Sequence, residues 1–260
     1  VHMLLGAFGK IEHYEAMAKA QYDYAELDMP QIEELSENDF AKFCDLVSKV
    51  NLPCLTGARI LPIVEPTFFL DNFNPNDLSD YLKKSCSRCK KLGIYKVILG
   101  NGKARSLPTP ESIKNEGQFF ELLKIMANIA GENDQELILE PLGPKYSNYL
   151  NTLPQSCAVI DKLGMKNLFT MADLRHMYWN NEDFSNLSKY IKYVHHIHVD
   201  YPKSFPERGY PSPLDDYDYK TFVDEIIKSG YQGTLTIEAD IPSDWDLAHK
   251  NGIEVLKDLF

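Results

Sequence analysis

Two glutamates, one aspartate and one histidine each close a short apolar run: ELILE at Glu140, NLFTMAD at Asp173, VHHIHVD around His198, and TLTIE at Glu238. Three hard carboxylates and one imidazole suit a single divalent ion of the Mn, Co, Zn or Mg type, and donor softness does not choose among these metals. The four residues are separated by 33, 25 and 40 positions, so only a fold that gathers successive strand ends can bring them together. A (β/α)8 barrel does this at its C-terminal face. Plainer roles exist for the same residues: a buried Glu can belong to an ion pair, and Asp173 can cap the helix that follows it.

The elements needed to position such a site are legible along the chain. MLLGAF, YAEL, LTGARI and YKVILG each precede an amphipathic stretch, and ELILE, NLFTMAD, YVHHIHV and TLTIE repeat the pattern in the second half. Eight strand–helix units predict an α/β fold, a single (β/α)8 TIM barrel over residues 1–260. Glycines in KLGIY, KLGMK and KSGYQG stand just before the next strand, where left-handed helix ends are expected. Period-two alternation turns His196 and His198 into the barrel and His195 toward the helical ring. His198, nearer the strand end, is the better ligand, and His196 one layer deeper reads as a hydrogen-bonded supporting residue.

Composition narrows the partners. The 260 residues match one barrel, and 44% hydrophobic residues supply its core. A net charge of −11 speaks against nucleic acid, which needs clustered Lys and Arg, and favours a small neutral or polar substrate. No run has the apolar length of a membrane span, and MLLGAF is too short for a signal-peptide core, so a soluble cytoplasmic protein is expected. Five scattered cysteines fit a reducing compartment. Cys86 and Cys89 form a lone CxxC on a helix-like stretch, with no second ligand pair to make it a zinc site. Val1 and His2 precede Met3 and read as an expression remnant, so His2 carries no functional weight.

Several further residues sit where a barrel rim would present them to substrate. Glu26 ends YAEL and can take a substrate hydroxyl or pair with a nearby cation. Lys103 and Arg105, in GNGKARSLP, bring positive charge suited to a phosphate, carboxylate or enolate oxygen. Asp200 can touch substrate or orient His198. Lys203 and Arg208 lie in YPKSFPERGYPSP, a loop long enough to serve as a lid.

The segments LEPLGPKYSNYLNT, MADLRH, HIHVD and GYQGTLTIEAD, in this order, together with GNGKARSLPTPE, resemble the xylose isomerase-like TIM barrels. That family includes sugar-phosphate isomerases and epimerases, inosose dehydratases and 3-dehydroshikimate dehydratases. The resemblance spans most of the chain and implies one divalent metal held by Glu140, Asp173, His198 and Glu238. It further implies His176 contacting a substrate oxygen, and Glu140 and Glu238 as the flanking carboxylates that exchange protons through an enediolate of a carbohydrate-like substrate. A metal-dependent lyase on the same scaffold, such as a dehydratase or a C-glycoside-cleaving enzyme, is the alternative, and a binding barrel without turnover is a third reading. Similar barrels often form dimers or tetramers, so a homo-oligomer is among the expected states. Relatives that cleave abasic DNA need more histidine ligands than the seven here supply. One departure stands out: many epimerases carry EPLNR, a Tyr and a second Glu, where this chain has Gly143, Pro144 and Tyr146. Activity on free ketohexoses is therefore in question.

Overall fold

Apolar runs too short for helices and buried on both faces must pair as a parallel sheet covered by helices. The computed structural model, which describes residues 3–260, shows that outcome, and His2 lies outside it. The strands are β1 (Leu4–Gly9), β2 (Tyr24–Asp28), β3 (Cys54–Ala58), β4 (Lys96–Leu99), β5 (Glu136–Leu139), β6 (Leu168–Asp173), β7 (Val194–Val199) and β8 (Thr234–Ile237). They pair in parallel in sequence order and close from β8 back to β1, a (β/α)8 barrel.

The helices are α1 (Tyr14–Lys19), α2 (Met29–Glu34), α3 (Glu37–Lys49), α4 (Ser79–Leu92), α5 (Glu116–Glu132), α6 (Leu153–Leu163), α7 (Leu174–Trp179), α8 (Ser185–Lys189), α9 (Lys220–Ser229) and α10 (Trp245–Leu256). Helices α4, α6 and α9 end on Gly93, Gly164 and Gly230, all with left-handed backbone, as their sequences predict. Helices α2 and α7 have no counterpart in the sequence reading, because six residues are too few to show a helical period. Cys86 and Cys89 on α4 are both buried among apolar neighbours, and no metal-sized cluster among the described residues includes them. None of the described helices is long and apolar enough to cross a membrane.

Two kinds of packing fill the barrel. Ile98, Ile138 and Met171 form a separate apolar cluster with Phe169 against it, whereas the strand–helix layer is one continuous core. Opposite that apolar cluster runs a buried polar chain. Tyr24 Oη lies 2.6 Å from Thr236 Oγ1, Thr236 and Thr56 donate to Glu26 at 2.9 and 2.7 Å, and the Glu26 carboxylate lies 2.9 Å from His196 Nε2. Glu26 Oε2 thus has three partners, Thr56, Thr236 and His196, which makes the burial of this carboxylate oxygen tolerable. His195 departs from the expected alternation. It is the extra residue where the β6–β7 register shifts, and it stacks on Phe169 at 3.5 Å and pairs with Glu136 at 2.9 Å, near the N-terminal end of the barrel.

Candidate metal centre

Four consecutive strands deliver the four candidate ligands. Glu140 follows β5, Asp173 ends β6, His198 lies one residue from the end of β7, and Glu238 follows β8. Strand pairing sets Asp173 level with His198, and His198 level with Thr236. One donor atom from each of the four lies within 4.8 Å of the others. From His198 Nδ1 the distances are 3.6 Å to Glu140 Oε1, 3.6 Å to Asp173 Oδ2 and 3.2 Å to Glu238 Oε2.

The electrostatics of this cluster call for a cation. Burial, together with the neighbouring Glu238 and Asp173 charges, pushes the Glu140 carboxyl up to about 7. His198 is held well above its ordinary range: burial opposes its charge, but Glu26 and Glu238 outweigh that. Glu140 Oε1 and His198 Nδ1 are both buried with no hydrogen-bond partner. Three convergent carboxylates, an imidazole and two orphaned donor atoms facing one another fit a divalent ion.

Beneath this cluster, Glu26 has a different place from the rim position its sequence suggested. It is fully buried, with Oε1 2.8 Å from His198 Nε2 and Oε2 engaged by Thr56, Thr236 and His196. Its carboxylate faces the His198 nitrogen that points away from the other three ligands, so it supports the ring instead of reaching substrate. Glu26, His196 and His198 also converge closely enough to hold an ion, but His196 is engaged at both ring nitrogens, by Thr234 and Glu26. They form a hydrogen-bonded support. Glu26→Gln should weaken divalent-metal affinity by about 10- to 100-fold, measured by competition with a chelating dye.

Asp173 caps the helix that follows it, as one of its sequence readings has it. One carboxylate oxygen caps α7 by accepting from the His176 amide at 3.1 Å, while the other faces His198. This cap fixes His176 on α7, with Nε2 3.6 Å from Glu140 Oε1. Burial pushes the His176 imidazole down to about 4, so it is neutral at pH 7.

The cluster forms one end of a cavity of about 330 Å³, lined by Arg59, Gly100, Lys103, Leu142, Lys145, Tyr146, His176 and Arg208 among others. Arg208 reaches the cluster from its loop, donating to Glu238 at 2.6 Å, to Asp200 at 2.9 Å and to Asp173 at 3.4 Å. Burial would raise the Glu238 carboxyl, but the Arg208 and His198 charges hold it down at about 2. Lys103 lines the cavity as its position suggested. Arg105 does not: its side chain is fully buried and donates to the Leu150 carbonyl at 3.0 Å, away from the cavity. Asp200 is likewise sequestered, between Arg175 and Arg208. Lys203 pairs with Asp216 at 3.1 Å on the outside.

Arg175 is the residue the sequence reading passed over, although it lies within MADLRH. Fully buried, it donates to Asp200 at 2.5 Å, to the Tyr201 carbonyl at 2.9 Å, and to the Ser204 carbonyl and hydroxyl at 2.5 and 3.0 Å. It thereby fastens the segment that carries Arg208. No spacing rule links an arginine on α7 to carbonyls beyond β7; the one available signal was an Arg two positions from a candidate ligand.

Gly100 leaves the Glu140 carboxylate its space. A Cβ there would sit 2.5 Å from Glu140 Oε2, so any side chain displaces the carboxylate. Gly100→Ala should cut turnover by roughly 10²-fold while leaving the melting temperature nearly unchanged, since the atom that must move is the tip of a side chain. Parallel assays of turnover and thermal unfolding would check this.

A family model described as the xylose isomerase-like TIM barrel matches residues 14–259. A mouse protein provisionally named hydroxypyruvate isomerase is 26% identical over 165 residues, covering 60% of this chain. The match spans 58% of that relative's length. Among solved structures, D-allulose 3-epimerase from a Methylomonas species superposes with a TM-score of 0.82 over 100% of this chain and 98% of its own, at 17% identity. The IolI protein, solved with a bound zinc atom, gives 0.75 over 99% of each chain at 18% identity.

Proposed function

Because the chain belongs to the xylose isomerase-like TIM barrel family, we propose that it is a divalent-metal-dependent isomerase or epimerase of a sugar or a sugar-derived hydroxy-carbonyl compound. The observation that carries this reading is the convergence of Glu140, Asp173, His198 and Glu238, two of which, Glu140 and Glu238, line one cavity. These four would hold the ion. When bound, a divalent cation polarises a carbonyl and acidifies the neighbouring C–H.

The chain's own groups then account for proton movement. Glu140 and Glu238 approach the cavity from β5 and β8, on two sides of His198, and can serve as the carboxylates that remove a proton and return it through an enediolate. Arg208 keeps Glu238 ionised and oriented, ready to accept. His176, neutral and lining the same cavity, is suited to a hydrogen bond with a substrate oxygen. Tyr146 packs edge-on against His176 with ring centroids 4.9 Å apart, holding the imidazole in place. The epimerase superposition and the provisional isomerase name of the mouse relative support the same class, and the zinc in the IolI structure supports the ion.

The test is incubation of the metal-loaded protein with ketoses, inososes and 3-keto glycosides in deuterated water. Deuterium at the carbon next to the carbonyl, in an otherwise unchanged skeleton, is the expected result. A new conjugated chromophore would replace this reading with a lyase, and no change in any substrate would contradict catalysis.

A further inference from the structure

The cavity lining carries charges of both signs. Glu140, Glu238 and the Arg208 guanidinium line it toward the cluster, whereas Arg59, Lys103 and Lys145 line it with cations from other loops. Arg59 is neutralised by Asp28, which accepts from it at 2.8 and 3.0 Å. Lys103 and Lys145 form no ion pair with a described residue. The Lys145 ammonium instead lies 3.7 Å from the centroid of Trp179 and 4.0 Å from that of Phe205. Two aromatic faces hold the head group in place without using its N–H donors, which stay available to a ligand.

Lys103 and Lys145 thus bring two unpaired positive charges to the cavity of a chain whose net charge is −11. With a divalent ion in place, its two charges and that of Arg208 balance the three carboxylates of the cluster, so the lysines dominate the field that an entering molecule meets. Ile63, Val64 and Leu142 line the same cavity and offer apolar contact to a short carbon chain. We infer that the substrate bears an anionic group, a carboxylate or a phosphate, remote from its hydroxy-carbonyl unit, and that Lys103 and Lys145 bind that group. This rests on the metal-dependent reading above and narrows its substrate class.

The test uses the full chain loaded with Mn2+ and isothermal titration of matched compounds: D-fructuronate against D-fructose, and D-fructose 6-phosphate against D-fructose, with inorganic phosphate as a free anion. The charged member of at least one pair should bind about tenfold or more tightly. The Lys103→Met/Lys145→Met double variant should lose that preference while keeping Mn2+ affinity and melting temperature. The pair that responds tells carboxylate from phosphate. Equal binding of charged and neutral members, or a preference that survives in the double variant, overturns the inference, and deuterium exchange into a neutral ketose would then leave the isomerase reading standing. Failure of that reading is seen separately, as absent Mn2+ binding. In that case lysine-dependent binding of inorganic phosphate by the same protein still decides the anion site.

Discussion

Glu238→Gln is expected to lower turnover by roughly 10³-fold and to weaken divalent-metal binding in the same protein. Two roles are lost together. The carboxylate is one of three anionic donors facing His198 Nδ1, 3.2 Å away, and it is the acceptor of the 2.6 Å bond from Arg208. An amide brings no charge to the ion and cannot take up a proton at neutral pH. The Cys86→Ser variant is the control, because its thiol is buried on α4 outside the cavity, and it should retain both metal and turnover. Full activity in Glu238→Gln would contradict the site assignment.

Arg175→Met should cost about 3–5 kcal/mol of stability, since it leaves the fully buried Asp200 without one of its two guanidinium partners. A purely local loss would stop there. The Arg175 bonds to Tyr201 and Ser204 predict more: the segment up to Arg208 should become open to trypsin, whose target residues Lys203 and Arg208 lie within it and are followed by Ser204 and Gly209. Arg175→Lys keeps the charge but not the planar fork, so it should recover part of the stability while the segment stays cleavable. Stability loss with an intact segment would confine Arg175 to a structural role.

The barrel and the strand-end positions of the four candidate ligands could be read from sequence because both depend on short-range pattern. Each of ELILE, NLFTMAD, VHHIHVD and TLTIE is a buried strand whose last inward position carries the polar residue, and a barrel has one place for such positions. His196 and His198 obeyed the period of two. His195 did not, because a single extra residue in β7 breaks the alternation locally and leaves no mark in composition. The positions of Glu26, Arg105 and Asp200 were not legible for a related reason. Strand ends place a Cα at the rim, but partners from distant segments decide whether the side chain turns outward to substrate or inward. Glu26 turns inward to His196 and His198, which lie 170 and 172 positions away. Arg175 was missed because its role lies in carbonyls of a loop whose course no local pattern dictates.

The most direct test of the central claim is metal stoichiometry: elemental analysis of the purified chain after equilibration with Mn2+ and exhaustive dialysis, with His198→Ala and Asp173→Asn treated in parallel. About one equivalent per chain in the parent protein, lost in both variants while their folds persist by circular dichroism, is the predicted result. Parent protein without metal, or variants that keep a full equivalent, would contradict the assignment of Glu140, Asp173, His198 and Glu238 to a single ion.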